Sequence, residues 1–138
     1  MFLRKSNTQT LPAPVTRRFT TLLVDDDEFV VKSMPSFLAR IPSVDVVGTA
    51  RDGADALEKL KTCTPNVVLM DVRMPRMGGM EATKLIVDKY PDVRVILMSG
   101  FDDGGMREEC REVGAHGFMA KLNVVHEFPL LLQEIFAA

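Results

Sequence analysis

Tryptophan is absent, tyrosine occurs once, and only two cysteines and two histidines are present in 138 residues. A chain with two cysteines and no secretory signal is not a disulfide scaffold. Cys63 and Cys110 are expected to be reduced thiols of a cytoplasmic protein. His116 and His126 show no ligand spacing with either cysteine, which removes a cysteine–histidine metal site from consideration. No apolar run exceeds five residues, too short for a membrane-spanning helix. Net charge is only −2, against wholesale binding of nucleic acid. What is present is an ordinary globular mixture, 46% hydrophobic and 26% charged, which excludes a disordered or collagen-like chain. The length suits one domain with a short tail.

Charge is uneven. Residues 1–18 carry Arg4, Lys5, Arg17 and Arg18 and no acid, and they are rich in Ser, Thr and Pro. They lack the apolar stretch of a secretory signal and are expected to form a flexible basic leader outside the fold. The domain is expected over residues 19–138, with a net charge of −6.

Five short aliphatic runs alternate with stretches of helical periodicity. The runs are Thr20–Val24, Val44–Ala50, Asn66–Met70, Val93–Met98 and Gly117–Ala120. The first, third and fourth are nearly continuous in apolar residues, as strands buried on both faces are. The mixed second and the short fifth suit edges. Helices are expected over Glu28–Ile41, Gly53–Thr62 behind an Asp52 N-cap, Gly79–Tyr90, Gly104–Val113, and about His126–Phe136 with Pro129 in the first turn. Strict alternation with short connections implies an α/β fold, a doubly wound parallel sheet with helices on both faces. The flavodoxin-like (βα)5 order 2-1-3-4-5 is the favoured topology, with a ligand site at the carboxyl ends of the strands.

Those ends are where the chain becomes chemically specific. The first strand runs into Asp25-Asp26-Asp27-Glu28, the third into Asp71, the fourth into Ser99-Gly100 and the fifth into Lys121. Acids after the first strand have an ordinary role in complementing a helix dipole. Asp71, before a Met-Pro loop, has no such role. Several carboxylates in one crevice repel one another unless a cation neutralises them, and a hard ion with oxygen ligands, Mg²⁺ or Mn²⁺, fits that need. With Ser99 and Lys121 added, the set reads as a phosphoryl site. Asp71 is the nucleophile, Lys121 and the metal hold phosphoryl oxygens, and Ser99 donates a hydrogen bond to one of them.

Four segments carry a resemblance that covers residues 19–137. They are Leu22–Glu28, Val67–Gly79, Val95–Gly100 and Gly114–Lys121. Together, in this order, they resemble the receiver domain of bacterial two-component response regulators. The resemblance implies that Asp71 accepts a phosphoryl group from a histidine kinase or a histidine phosphotransfer protein. It implies Mg²⁺ bound directly by Asp26 and Asp71, through water by Asp25, and by the backbone carbonyl of Arg73. It assigns Ser99 and Phe118 to a switch that alters the face made by the fourth helix, fifth strand and fifth helix. Gly100 leaves access to the phosphoryl group, and Arg73 and Phe101 occupy positions that tune the lifetime of the aspartyl phosphate. A bulky Phe101 and Arg73 are expected to slow self-dephosphorylation.

The pattern departs in two places. Leu122 stands where the family usually has Pro, and Ser99 replaces the commoner Thr. The output is left open between a stand-alone receiver and a fragment of a DNA-binding regulator. Dimerisation through the fourth and fifth helices is likewise open, and no direct contact of this domain with nucleic acid or membrane is expected. The competing reading is a protein-interaction module of the same fold that is never phosphorylated. A metal-dependent phosphatase is disfavoured because its second Asp would fall at Arg73. A nucleotide site is disfavoured because Asp25–Glu28 would repel phosphate.

Overall fold

The computed structural model describes residues 17–100 and 104–137. Five parallel strands form one sheet in the order β2-β1-β3-β4-β5. The strands are β1 (Phe19–Val24), β2 (Val44–Ala50), β3 (Val67–Asp71), β4 (Arg94–Ser99) and β5 (Gly117–Ala120). Between and after them come α1 (Glu28–Leu38), α2 (Gly53–Leu60), α3 (Gly79–Lys89), α4 (Gly105–Glu112) and α5 (Val124–Ile135). The expected flavodoxin-like order is therefore the observed one.

Side-chain alternation along the central strands builds two apolar layers. Leu22, Val24, Val68, Met70, Val95 and Leu97 face one side, where Ala56 and Leu60 of α2, Ala82 and Ile86 of α3, and Met106 and Cys110 of α4 close over them. Leu23, Val67, Leu69, Ile96 and Met98 face the other, under Met34 and Leu38 of α1 and Phe128 and Leu132 of α5. Both faces of β1, β3 and β4 are buried, which is why these runs carry no polar alternation.

Parallel register sets where each strand stops. Val24 lies beside Met70, Met70 beside Leu97, and Leu97 beside Phe118. The next residues, Asp25, Asp71 and the β4 and β5 ends, consequently emerge on one edge. Helix starts are fixed by local chemistry. Asp27 caps α1 by accepting the Phe29 N–H at 2.9 Å, and Asp52 caps α2 by accepting the Asp55 N–H at 2.8 Å. Gly114, at φ 99°, turns the chain out of α4 in the left-handed region where a side chain is strained.

The last helix begins earlier than its periodicity suggests. A 3-10 turn over Lys121–Asn123 leads straight into α5 at Val124, so Pro129 falls in the second turn, not the first. No side chain caps that start, which is why the sequence carries no clear signal for it. At the opposite edge of the sheet, Arg17 stacks on the rings of Phe19 and Phe136, with its guanidinium 4.8 and 5.0 Å from their centroids. The remainder of the expected leader, residues 1–16, lies outside the described residues, as does Phe101.

Candidate phosphoryl and metal site

Asp25 is the first residue past β1 and is fully buried. Its Oδ1 accepts the Asp27 N–H at 2.9 Å, which folds the acidic run back over the strand end. Its Oδ2 lies 2.8 Å from Nζ of Lys121. Asp71 ends β3, is buried, and places Oδ1 3.1 Å from the same Nζ. Asp26 is exposed at the mouth. One carboxylate oxygen from each of Asp25, Asp26 and Asp71 falls within a span of 4.8 Å.

These carboxylates shape one another. Burial pushes the Asp71 carboxyl up to about 6, and the charges of Asp25 and Asp26 push the same way against Lys121. Burial by itself would lower the Lys121 ammonium, but its contacts with Asp25 and Asp71 outweigh that and hold it above the ordinary lysine value. One ammonium thus serves two buried carboxylates. A donor set made only of carboxylate oxygens, three of them within 4.8 Å of one another, fits a hard divalent cation.

The other residues singled out from the sequence fall at the same edge. Ser99 ends β4 beside Ala120 and is buried. Gly100 follows it, and a Cβ built there would meet no atom of the described residues within 4 Å. Phe118 is buried against the α4 side of the sheet with the Arg107 guanidinium 5.0 Å from its ring. Arg73 is exposed in the loop between β3 and α3. Leu122 is 90% exposed directly after Lys121, inside the 3-10 turn.

Sequence reasoning missed one member of this neighbourhood. Arg76, in the β3–α3 loop, has φ 65° and forms an ion pair with the buried Asp52. The capping role of Asp52 was legible from its position before α2. Its second partner lies 24 residues away and was not.

Comparison with known proteins gives a consistent answer. The family model described as response regulator receiver domain matches residues 21–129. The chain is 40% identical over 100 residues to the transcriptional regulatory protein LnrK of Bacillus subtilis (strain 168), covering 72% of this chain and 46% of that protein. It is also 40% identical over 107 residues to a protein-glutamate methylesterase/protein-glutamine glutaminase of Pyrococcus abyssi, covering 76% of this chain and 29% of that protein. Among solved structures, the CheX–CheY–BeF3–Mg complex from Borrelia burgdorferi matches with a TM-score of 0.78 at 26% identity, over 88% of this chain and 92% of that one. The chain spans less than half the length of these two curated relatives.

Proposed function

Since the chain belongs to the response regulator receiver family, we propose that it accepts a phosphoryl group on Asp71 from the phosphohistidine of a kinase or phosphotransfer protein. The observation that carries this reading is the placing of the Asp71 carboxylate against Lys121 and within reach of the Asp25 and Asp26 carboxylates at one strand edge. In the transfer an Asp71 oxygen attacks phosphorus, the N–P bond breaks, and the histidine nitrogen leaves with a proton from solvent. Lys121 neutralises a phosphoryl oxygen as it approaches the acids. Asp26, Asp71 and the Arg73 carbonyl would hold Mg²⁺ directly, with Asp25 acting through water. The bound ion would supply charge neutralisation for the transferred group.

The switch belongs to the same proposal. Ser99 donates its hydroxyl to the new phosphoryl group, and Phe118 follows it, repacking the face of α4, β5 and α5. Arg73 and Phe101 slow the return hydrolysis. A protein donor has a place to sit beside Lys121, because Phe29 (76% exposed), Phe37, Leu122 and Val125 form an apolar surface there. The output, whether a further domain or a separate protein, is proposed to read the altered face.

Intact mass after incubation with acetyl phosphate tests the central claim. The wild-type chain is expected to gain one phosphoryl group only when Mg²⁺ is present, and Asp71→Asn none. No gain in the wild type would instead support the interaction module that is never phosphorylated.

A further inference from the structure

The loop from Val72 to Gly78 carries the Arg73 carbonyl proposed above as a metal ligand. Its strand end is held by hydrogen bonds from Val72 N–H to Met98 O at 2.9 Å and from Gly79 N–H to Val72 O at 2.8 Å. Its outer bend is held differently, by the start of α2. Gly53 donates its N–H to Met77 O at 2.9 Å, and the guanidinium of Arg76 grips the carboxylate of Asp52.

Three features set this pair apart from an ordinary surface ion pair. Asp52 is only 1% exposed, covered by an Arg76 side chain that is itself mostly exposed. The Asp55 N–H, with Arg76 assisting, outweighs the cost of burial and holds the carboxyl below its usual range. Arg76 adopts a left-handed φ of 65°, a conformation that costs a non-glycine residue about 1 kcal/mol or more and that its surroundings must impose.

The geometry points to Asp52 and Arg76 as a positioning pair for divalent-cation binding, tethering to α2 the β3–α3 loop, which carries the Arg73 carbonyl two residues after Asp71 of the Asp25–Asp26–Asp71 cluster. This inference rests on the metal reading given above. Neither side chain touches the ion. The pair acts through the backbone between Arg73 and Met77, as outer partners of metal ligands do elsewhere at a cost of about 10–100-fold in affinity when removed.

The test is Mn²⁺ binding by the full chain, followed by electron paramagnetic resonance of the free ion, with thermal unfolding of the metal-free proteins alongside. Asp52→Asn keeps the helix cap and the volume but removes the charge. Arg76→Gly removes the guanidinium and at the same time relieves the left-handed backbone. Each variant is expected to bind Mn²⁺ about tenfold more weakly than the wild type. The double variant is expected to be no weaker than either single one, because both remove one shared interaction. Asp52→Asn keeps the cap and leaves only the exposed Arg76 unpaired, so it is expected to keep a metal-free Tm near the wild type and to separate lost affinity from lost stability, whereas Arg76→Gly also leaves the buried Asp52 carboxylate without its cation. Mn²⁺ affinities within about twofold of the wild type in both variants would overturn the proposal and leave the pair a structural brace. Absence of saturable Mn²⁺ binding in the wild type would overturn the metal reading itself, and this inference with it.

Discussion

Lys121 is a single cation set between two buried carboxylates, and most of the site's electrostatics follows from that count. Removing it leaves Asp25 and Asp71 buried without a counter-charge. Lys121→Met is therefore expected to destabilise the metal-free protein by about 2 kcal/mol at pH 7.5, measured by urea unfolding. The loss should shrink at pH 5, where Asp71 takes up a proton in place of its ion pair. Asp71 itself has a native pKa of about 6 against an ordinary 3.8, so the folded state holds that proton more tightly than the unfolded chain does. Its contribution to stability is present at low pH and is lost as pH rises through that window. Asp71→Asn should erase this slope. In chelator at pH 7.5 it should melt above the wild type, by about 1 kcal/mol or roughly 4 °C. A lower Tm for Asp71→Asn under those conditions would mean that the Lys121 contact outweighs burial.

Apart from α1, which ends at Leu38 and not at the expected Ile41, the elements were legible from the sequence to within a residue or two, because continuous apolar runs and helical periodicity report burial directly. β1, β3 and β4 were recognisable for that reason, and α2 from its Asp52 cap. The start of α5 was not, since a 3-10 turn without a capping side chain leaves no residue pattern to read. Close approach between elements is also silent in the sequence. A Cβ on Gly53 would lie 2.7 Å from Met77 Cγ and 2.8 Å from both Ala82 Cβ and Met77 O, because α2 leans on the β3–α3 loop there. A Cβ on Gly48 of β2 would lie an ordinary 3.5 Å from Leu22 Cδ1. Gly53→Ala is expected to cost about 1–3 kcal/mol of stability by overpacking, and Gly48→Ala less than about 0.5 kcal/mol, in parallel thermal melts. Equal losses at the two positions would contradict the packing described for α2.

At the scale of the whole molecule, a cation held by the Asp25–Asp26–Asp71 cluster would be linked to the fold. An ion that binds only the folded chain stabilises it by mass action, by about 2.7 kcal/mol at a hundredfold excess over its dissociation constant. Mg²⁺ is expected to raise the Tm of the wild type with the logarithm of its concentration once that exceeds the dissociation constant, and Asp26→Asn to abolish most of that rise. Because Asp26 is exposed, the same substitution should leave the metal-free Tm almost unchanged. A Mg²⁺ response that survives Asp26→Asn would move the proposed ion away from this cluster. Among the described residues no helix is long and apolar enough to cross a membrane. Four exposed apolar side chains, Phe29, Phe37, Leu122 and Val125, lie beside Lys121, where α1 meets the turn before α5.

The sequence by itself determined the alternation of strands and helices, the parallel two-layered sheet, and the identity of the residues at its carboxyl edge. Local periodicity carries burial, and a parallel sheet has only one edge at which strands of this chain can end. It did not determine how those residues meet. That Lys121 serves Asp25 and Asp71 together and that Arg76 reaches Asp52 were decided by the tertiary structure. Each is a contact across tens of residues, set by strand register and by the lean of α2 on a loop, and neither leaves a spacing in the chain from which it can be read.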